Sequence, residues 1–297
     1  MRRIFSSLIV TVALGAAAAS VHAQQSQLLV DADWLKQHLD DPALVLLHVG
    51  REPEYAEAHI PGARFITLND VSIRLDSAAH ERGDLMLQLP PAAELRTRLE
   101  AFGISDDSRI VVYFGKDWVS PATRVVLTLD YIGLGDRTSL LNGGMQAWER
   151  AGGRVVTDVP APKRGKLSAR PVKDIIVDAA FVQSVPARQG FRLIDARAPV
   201  YYNGIEPTYE KVGHIPGAVS VPYSAIVDDE LMISRERLET LFRDAGVKPG
   251  DVVVGYCHIG QQATAMLFAA RLLGHDALLY DGSFQDWATR NRGAVEK

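Results

Sequence analysis

The sequence predicts an α/β protein made of two copies of one domain, each a mainly parallel sheet flanked by helices, and three observations lead there. The first is an internal repeat. "AHIPGARFITL" (58–68) returns as "GHIPGAVSVPY" (213–223), so His59-Ile60-Pro61-Gly62-Ala63 and His214-Ile215-Pro216-Gly217-Ala218 lie 155 positions apart. "LRTRLEAFGISDDSRIVVYF" (95–114) then pairs with "LETLFRDAGVKPGDVVVGY" (238–256), and "LLNGGMQAW" (140–148) with "LYDGSFQDW" (279–287). Segments recurring in one order mark a duplicated unit. The second is the alternation within each copy of short apolar runs and amphipathic stretches. The third is "TDVPAPKRGKLSARP" (157–171), rich in Pro and basic residues and without helical or strand period, which reads as an extended linker between the copies.

Taken in order, "LVLLHV" (44–49), "RIVVYF" (109–114), "RLIDA" (192–196) and "DVVVGY" (251–256) read as buried strands. "ATRVVLTLDYIGL" (122–134) and "ATAMLFAARLLG" (263–274) read as the helices that follow two of them. Strands without strict alternation, separated by helices, imply a parallel sheet covered on both faces. The domains are expected at about 24–156 and 172–297, joined by 157–171.

The N-terminus reads as an export signal. A basic start (Met1-Arg2-Arg3) precedes an apolar stretch from Ile4 to about Ala19, then Val21-His22-Ala23 places small residues at the −3 and −1 positions of a cleavage site. Residues 1–23 are therefore expected to be removed on export, by the general secretory route in preference to the twin-arginine route that "RRIF" partly resembles, with no stable membrane span afterwards and a periplasmic location in a Gram-negative cell. The full 297-residue sequence is 47% hydrophobic and 23% charged with a formal charge of −4, a balance that suits a soluble globular chain and offers no basic run for nucleic acid.

One cysteine, Cys257, occurs in the chain, so no internal disulfide is available. It lies in "CHIGQQ" (257–262), a loop leaving the carboxyl end of a strand and entering a helix, where open α/β sheets bind ligands. A short loop there, relieved by Gly260, can point several N–H groups and a helix N-terminus at one sulfur and favour its thiolate.

These residues resemble a tandem-domain rhodanese, or sulfurtransferase, over essentially the whole mature chain. The resemblance rests on the two HIPGA segments, the strand ending Tyr256-Cys257, the six-residue loop, and the paired "GGMQAW" and "DGSFQDW" ends. It implies rhodanese-type domains, a catalytic cysteine in the second copy, and a catalytically silent first copy. Its chemistry is ping-pong transfer through a persulfide on Cys257, from a small donor such as thiosulfate to a thiophilic acceptor, with no cofactor and no metal. His258, Ile259, Gly260, Gln261 and Gln262 would form the substrate and persulfide loop. The loop lacks the Arg or Lys that better-known thiosulfate enzymes carry beside the cysteine, and also lacks the Gly-Ser and Val-Thr of the mercaptopyruvate branch. Near the position of the family's substrate-binding arginine, on the segment after "LIDAR", this sequence has Tyr201.

Counted outward from the shared marks, Asp195, Arg197 and Cys257 are expected to correspond to His48, Gly50 and Gly115, with the first-copy loop about three residues longer. Asp195 and Arg197 are expected to form a supporting ion pair at the sheet edge, with a direct substrate contact by Arg197 left open as the alternative. His59 and His214 read as structural hydrogen-bonding groups, Trp148 and Trp287 as core, Lys116 and Trp118 as surface, and His258 as a group that could charge at mildly acid pH. Two other functions stay open: a slow sulfur carrier, and phosphatase or arsenate reductase chemistry. The latter needs an arginine six positions after the cysteine, where Ala263 stands. The assembly expected is a monomer or weak oligomer.

Overall fold

A computed structural model describes residues 28–116 and 119–297. The signal segment and Trp118 lie outside the described residues. In the first half, chain order is β1 (Leu29–Val30), α1 (Ala32–His38), β2 (Leu44–Val49), α2 (Glu52–Glu57), β3 (Arg64–Ile66), α3 (Ser77–Glu81), α4 (Ala92–Ala101), β4 (Arg109–Phe114), α5 (Ser120–Tyr131), β5 (Thr138–Leu141) and α6 (Gly144–Arg150). The second half runs β6 (Ile176–Val177), α7 (Ala179–Ser184), β7 (Phe191–Asp195), α8 (Pro199–Tyr202), β8 (Val219–Ser220), a small hairpin β9 (Val227–Asp228) and β10 (Leu231–Met232), α9 (Arg235–Asp244), β11 (Val252–Tyr256), α10 (Gln262–Leu272), β12 (Ala277–Tyr280) and α11 (Ser283–Thr289).

Each half is one five-stranded, all-parallel sheet. The orders are β1-β5-β4-β2-β3 and β6-β12-β11-β7-β8, the same topology twice. The central strands are near-continuous apolar runs because both faces are covered, which is why they lack alternation. Between the halves, residues 157–171 form no helix or strand. That segment is tied to the first half: the Gly165 N–H donates to Glu100 O, that of Leu167 to the Glu100 carboxylate, and that of Ser168 to Asp106.

The HIPGA repeats clasp each half shut. His59 and His214 each make a backbone bridge to the far end of their own half, at Val156 and Glu296. Each imidazole stacks on a tyrosine ring, Tyr55 or Tyr202, with centroids 3.9 Å apart, and its Nδ1 lies 2.7 Å from Tyr55 O or 2.9 Å from Tyr202 O. Trp148 and Trp287 are buried, and their indole N–H groups donate to Arg154 O and Ala294 O, both at 2.9 Å. These matched contacts make the histidines and tryptophans structural.

Strand register corrects the expected correspondence between the copies. His48 pairs with Tyr113 and Asp195 with Tyr256, and each tyrosine hydroxyl accepts the N–H of the HIPGA isoleucine, Ile60 or Ile215. Cys257 therefore corresponds to Phe114 and not to Gly115. The sequence hides this one-residue shift because "VVYF" and "VVGY" both end in an aromatic residue. Tyr113 to Thr123 spans ten positions and Tyr256 to Thr264 eight, so the first-copy loop is two residues longer, not three.

The halves meet across α5 and α10, which are buried nearly all round; Ala122 to Asp130 and Ala263 to Ala270 are consecutively buried. One hydrophobic cluster runs through both. On the pseudo-twofold relation between the copies, Thr123 Oγ1 and Thr264 Oγ1 share a 2.8 Å hydrogen bond. Each half also sends a strap onto the other. Leu89 N–H donates to Asp281 Oδ2 at 3.0 Å, and Met232 N–H to the equivalent Asn142 Oδ1 at 2.9 Å.

Candidate active site

Cys257 follows β11 directly and is fully buried. Its N–H donates to Ser283 Oγ at 3.2 Å, and that hydroxyl donates to Tyr280 O at 2.9 Å. The cysteine carbonyl accepts from Phe284 N–H and the His258 carbonyl from Gln285 N–H, both at 2.9 Å. The start of α11 thus pins the loop's first two residues. Ser283 holds φ at +51°, a conformation that costs a non-glycine residue on the order of 1 kcal/mol, whereas the first copy has Gly144 there at the same φ. A Cβ on Gly144 would meet Phe114 O at 2.6 Å.

At the loop's far end Gln261 is the N-cap of α10 and makes no side-chain cap. The opening amides of an uncapped helix are donors for an anionic group. Gly260, at φ +81°, has space for no side chain: a Cβ would lie 2.8 Å from Asp281 O. Gln261 Nε2 donates to Ser120 Oγ of the other half at 3.1 Å, and the Gln262 side chain hydrogen-bonds Tyr223.

His258 is neutral well into the acid range. Burial, followed by the Arg197 charge, lowers its pKa to about 4, so the expectation that it charges at mildly acid pH is corrected. Tyr201 meets it edge to face, with centroids 4.6 Å apart and planes at 86°, and its Nδ1 has no hydrogen-bond partner among the described residues. Burial pushes the Tyr209 phenol up to about 12, with Cys257 adding to this and Arg197 opposing it. Burial, then Cys257, also raises Tyr223. Two tyrosines and the arginine therefore share the thiol's electrostatic surroundings.

Asp195 and Arg197 form the expected ion pair, 2.6 Å between Arg197 Nη2 and Asp195 Oδ2, with Nε 3.0 Å from both oxygens. It lies at the carboxyl end of an interior strand and not at the sheet edge, since β7 runs between β11 and β8. The guanidinium also donates to Gly213 O at 2.7 Å and sits 3.9 Å above the Phe284 ring. Burial disfavours its charge, but the Asp195 contacts outweigh this and raise its pKa. The first copy has His48 and Gly50 here; burial, with His59 adding, lowers His48 to about 4. Lys116 is exposed, 3.9 Å from Glu57.

Sequence reasoning missed Arg124, Asp281 and Ser283. The signal was in the repeat: Arg124 faces Ala265, Asp281 faces Asn142, and Ser283 faces Gly144. Arg124 arises from α5 of the first half, is wholly buried, and donates from Nη1 to Gly260 O at 3.0 Å while pairing with Asp281 Oδ1 at 2.7 Å. The loop's own side chains carry no fixed cation, as expected, yet this one lies against its backbone. Among the described residues no group of three or more His, Cys, Asp or Glu side chains is placed to hold a metal, and no helix is long and apolar enough to cross a membrane.

The rhodanese-like domain family matches this chain twice, over residues 31–151 and 179–290. A probable 3-mercaptopyruvate sulfurtransferase of Pseudomonas aeruginosa is 32% identical over 280 residues, covering 90% of this chain and 97% of the relative. Rat thiosulfate sulfurtransferase is 29% identical, covering 91% and 95%. Among solved structures, SseA of Escherichia coli, described as having the rhodanese fold of 3-mercaptopyruvate sulfotransferases, superposes with a TM-score of 0.73 at 25% identity over 86% of this chain and 98% of its own. An anaerobic ergothioneine biosynthesis enzyme from Chlorobium limicola has the same fold, with a TM-score of 0.77 at 21% identity, over 91% of this chain and 70% of its own. With the domain matched in both halves and sulfurtransferases aligned over nine-tenths of its length, this chain belongs to the rhodanese-like family, among its two-domain sulfurtransferases.

Proposed function

We propose that Cys257 takes the outer sulfur of a small sulfane donor such as thiosulfate, becomes a persulfide, and yields that sulfur to a thiophilic acceptor. The Cys257 thiolate attacks the sulfane sulfur, the S–S bond of thiosulfate breaks, and sulfite leaves with the bonding pair. A nucleophile such as cyanide or a thiolate then attacks the outer persulfide sulfur and releases the Cys257 thiolate, so no external electrons are needed. The observation that carries this reading is the lone buried thiol at the carboxyl end of β11, in the short loop that leads to an uncapped helix start. Asp195 and Arg197 support that end of the sheet, and Arg197 adds positive charge near the sulfur. Phosphatase chemistry has no support, because the position an oxyanion-holding arginine would need is the buried Ala263.

The mature protein acts, on this reading, after export and removal of residues 1–23, without a metal or cofactor, as a monomer or weak oligomer. The basic, apolar and small-residue segments of that stretch support the export reading, and the N-terminal mass of protein recovered from a periplasmic fraction tests it.

The test of function is steady-state thiocyanate formation from cyanide with thiosulfate or 3-mercaptopyruvate as donor. Turnover with thiosulfate that disappears in Cys257→Ser supports the reading. Turnover with 3-mercaptopyruvate alone changes the donor and spares the thiol's role, while undiminished turnover in Cys257→Ser overturns it. A carrier role is the second reading, favoured by the complete burial of Cys257 and by a sulfur carrier protein of Thermus thermophilus that is 29% identical over 88% of this chain. It predicts one persulfide per chain without sustained turnover.

A further inference from the structure

We infer that Arg124, a residue of the first half, is a positioning residue for sulfur transfer at Cys257, so the half without a thiol supplies part of the working loop. The inference rests on the persulfide reading above. Three observations converge. Arg124 is fully buried in α5, yet its guanidinium crosses the interface to Gly260 O at 3.0 Å and Asp281 Oδ1 at 2.7 Å, and its Nη2 also donates to Leu87 O. Asp281 is held in turn by the first half, through the Leu89 N–H at 3.0 Å. The contact is also one-sided. The pseudo-twofold would place the counterpart of Arg124 at Ala265 and that of Asp281 at Asn142, so neither charge exists beneath the first-half loop.

The consequence follows from the peptide plane. In a trans peptide the carbonyl and the next N–H point in opposite directions, and this chain has no cis peptide among the described residues. Fixing Gly260 O outward on Arg124 turns the Gln261 N–H the other way, to the concave side of the loop that begins at Cys257. Gly260 at φ +81°, with Asp281 O closing the space a Cβ would need, allows that plane and excludes any side chain there. The buried cation thereby holds an amide donor in place before the persulfide's negative sulfur forms, and an amide already oriented stabilises developing charge without reorganising.

The test is single-turnover persulfide formation on the full mature chain, followed by intact mass over a range of thiosulfate concentrations, with thermal melting of every variant. Arg124→Met is expected to slow sulfur uptake at saturating donor by about tenfold to a hundredfold, less than the roughly hundredfold to thousandfold seen when an oriented donor is removed outright, because the Gln261 amide is misplaced and not deleted. The half-saturating thiosulfate concentration should change less than about twofold, because the donor does not touch Arg124. Arg124→Lys, keeping the charge but losing the planar fork of donors, should fall between Met and wild type. Thr123→Val, loosening the interface one residue away, should lower the melting temperature and leave the rate alone. A folded Arg124→Met with wild-type rate, or one that changes only the half-saturating concentration, overturns the inference. So does a Thr123→Val that slows as much as Arg124→Met. Should Arg124→Met fail to fold, Arg124→Lys decides: a wild-type rate there refutes the positioning role. A wild type that takes up no sulfur refutes the persulfide reading itself, which separates the two failures.

Discussion

At the scale of single residues, the second copy differs from the first where chemistry would require it, and each difference has a local cost. Ser283 keeps a left-handed backbone that its counterpart leaves to glycine, and its hydroxyl takes the Cys257 N–H. Ser283→Gly is therefore expected to leave folding stability within about 1 kcal/mol of wild type, because relief of the φ strain offsets the lost hydrogen bond. The same substitution should slow persulfide formation severalfold; thermal melting and single-turnover mass measurement check the two halves of this prediction. His258, lowered to about 4 by burial and then by Arg197, stays neutral from pH 5 to 8. His258→Asn should then leave the shape of the rate–pH profile unchanged across that range, and loss of a step near pH 6.5 would show that the histidine does titrate there. The depressed histidines also set the sign of acid stability. Unfolded His48 and His258 bind protons below about 6.5 while the folded groups wait until about 4, so the stability they contribute is whole above pH 6.5 and falls as pH drops toward 4. His48→Gln should flatten the decline of melting temperature between pH 7 and 4.5.

At the scale of elements, strands and helices were legible because covered parallel strands write continuous apolar runs. The strand expected at 44–49 forms over Leu44–Val49, and the two long helices begin within two residues of expectation. The lone cysteine, its loop and the Asp195–Arg197 pair could also be placed, since they sit at the carboxyl ends of strands the pattern identifies. The residue opposite Cys257 could not be fixed by sequence alone. A one-residue slip between "VVYF" and "VVGY" preserves apolar character, and the strand register together with the hydroxyl contacts of Tyr113 and Tyr256 to the isoleucine amides settles it. Arg124 was illegible for another reason: a buried arginine on a buried helix becomes meaningful only when the partner carboxylate and carbonyl, 157 and 136 positions away, are seen beside it.

At the scale of the whole molecule, duplication has produced two halves that are not separable bodies. Eight consecutive residues of α10 are buried, and α5 of the other half packs against that helix. Residues 172–297 expressed alone are accordingly expected to be aggregation-prone or to melt well below the full chain, because the exposed face is apolar. Analytical ultracentrifugation and thermal melting check this, and a stable monomer would contradict it. The first half in this view shelters and orients a sulfur site that it cannot host, having Phe114 where the thiol stands. The central claim is that Cys257 carries the transferred sulfur, and intact mass spectrometry of the mature protein after thiosulfate tests it most directly. The account predicts the gain of one sulfur per chain, mapped to Cys257, lost on adding cyanide and absent in Cys257→Ser. No gain from any sulfane donor, or a gain that persists in Cys257→Ser, would contradict it.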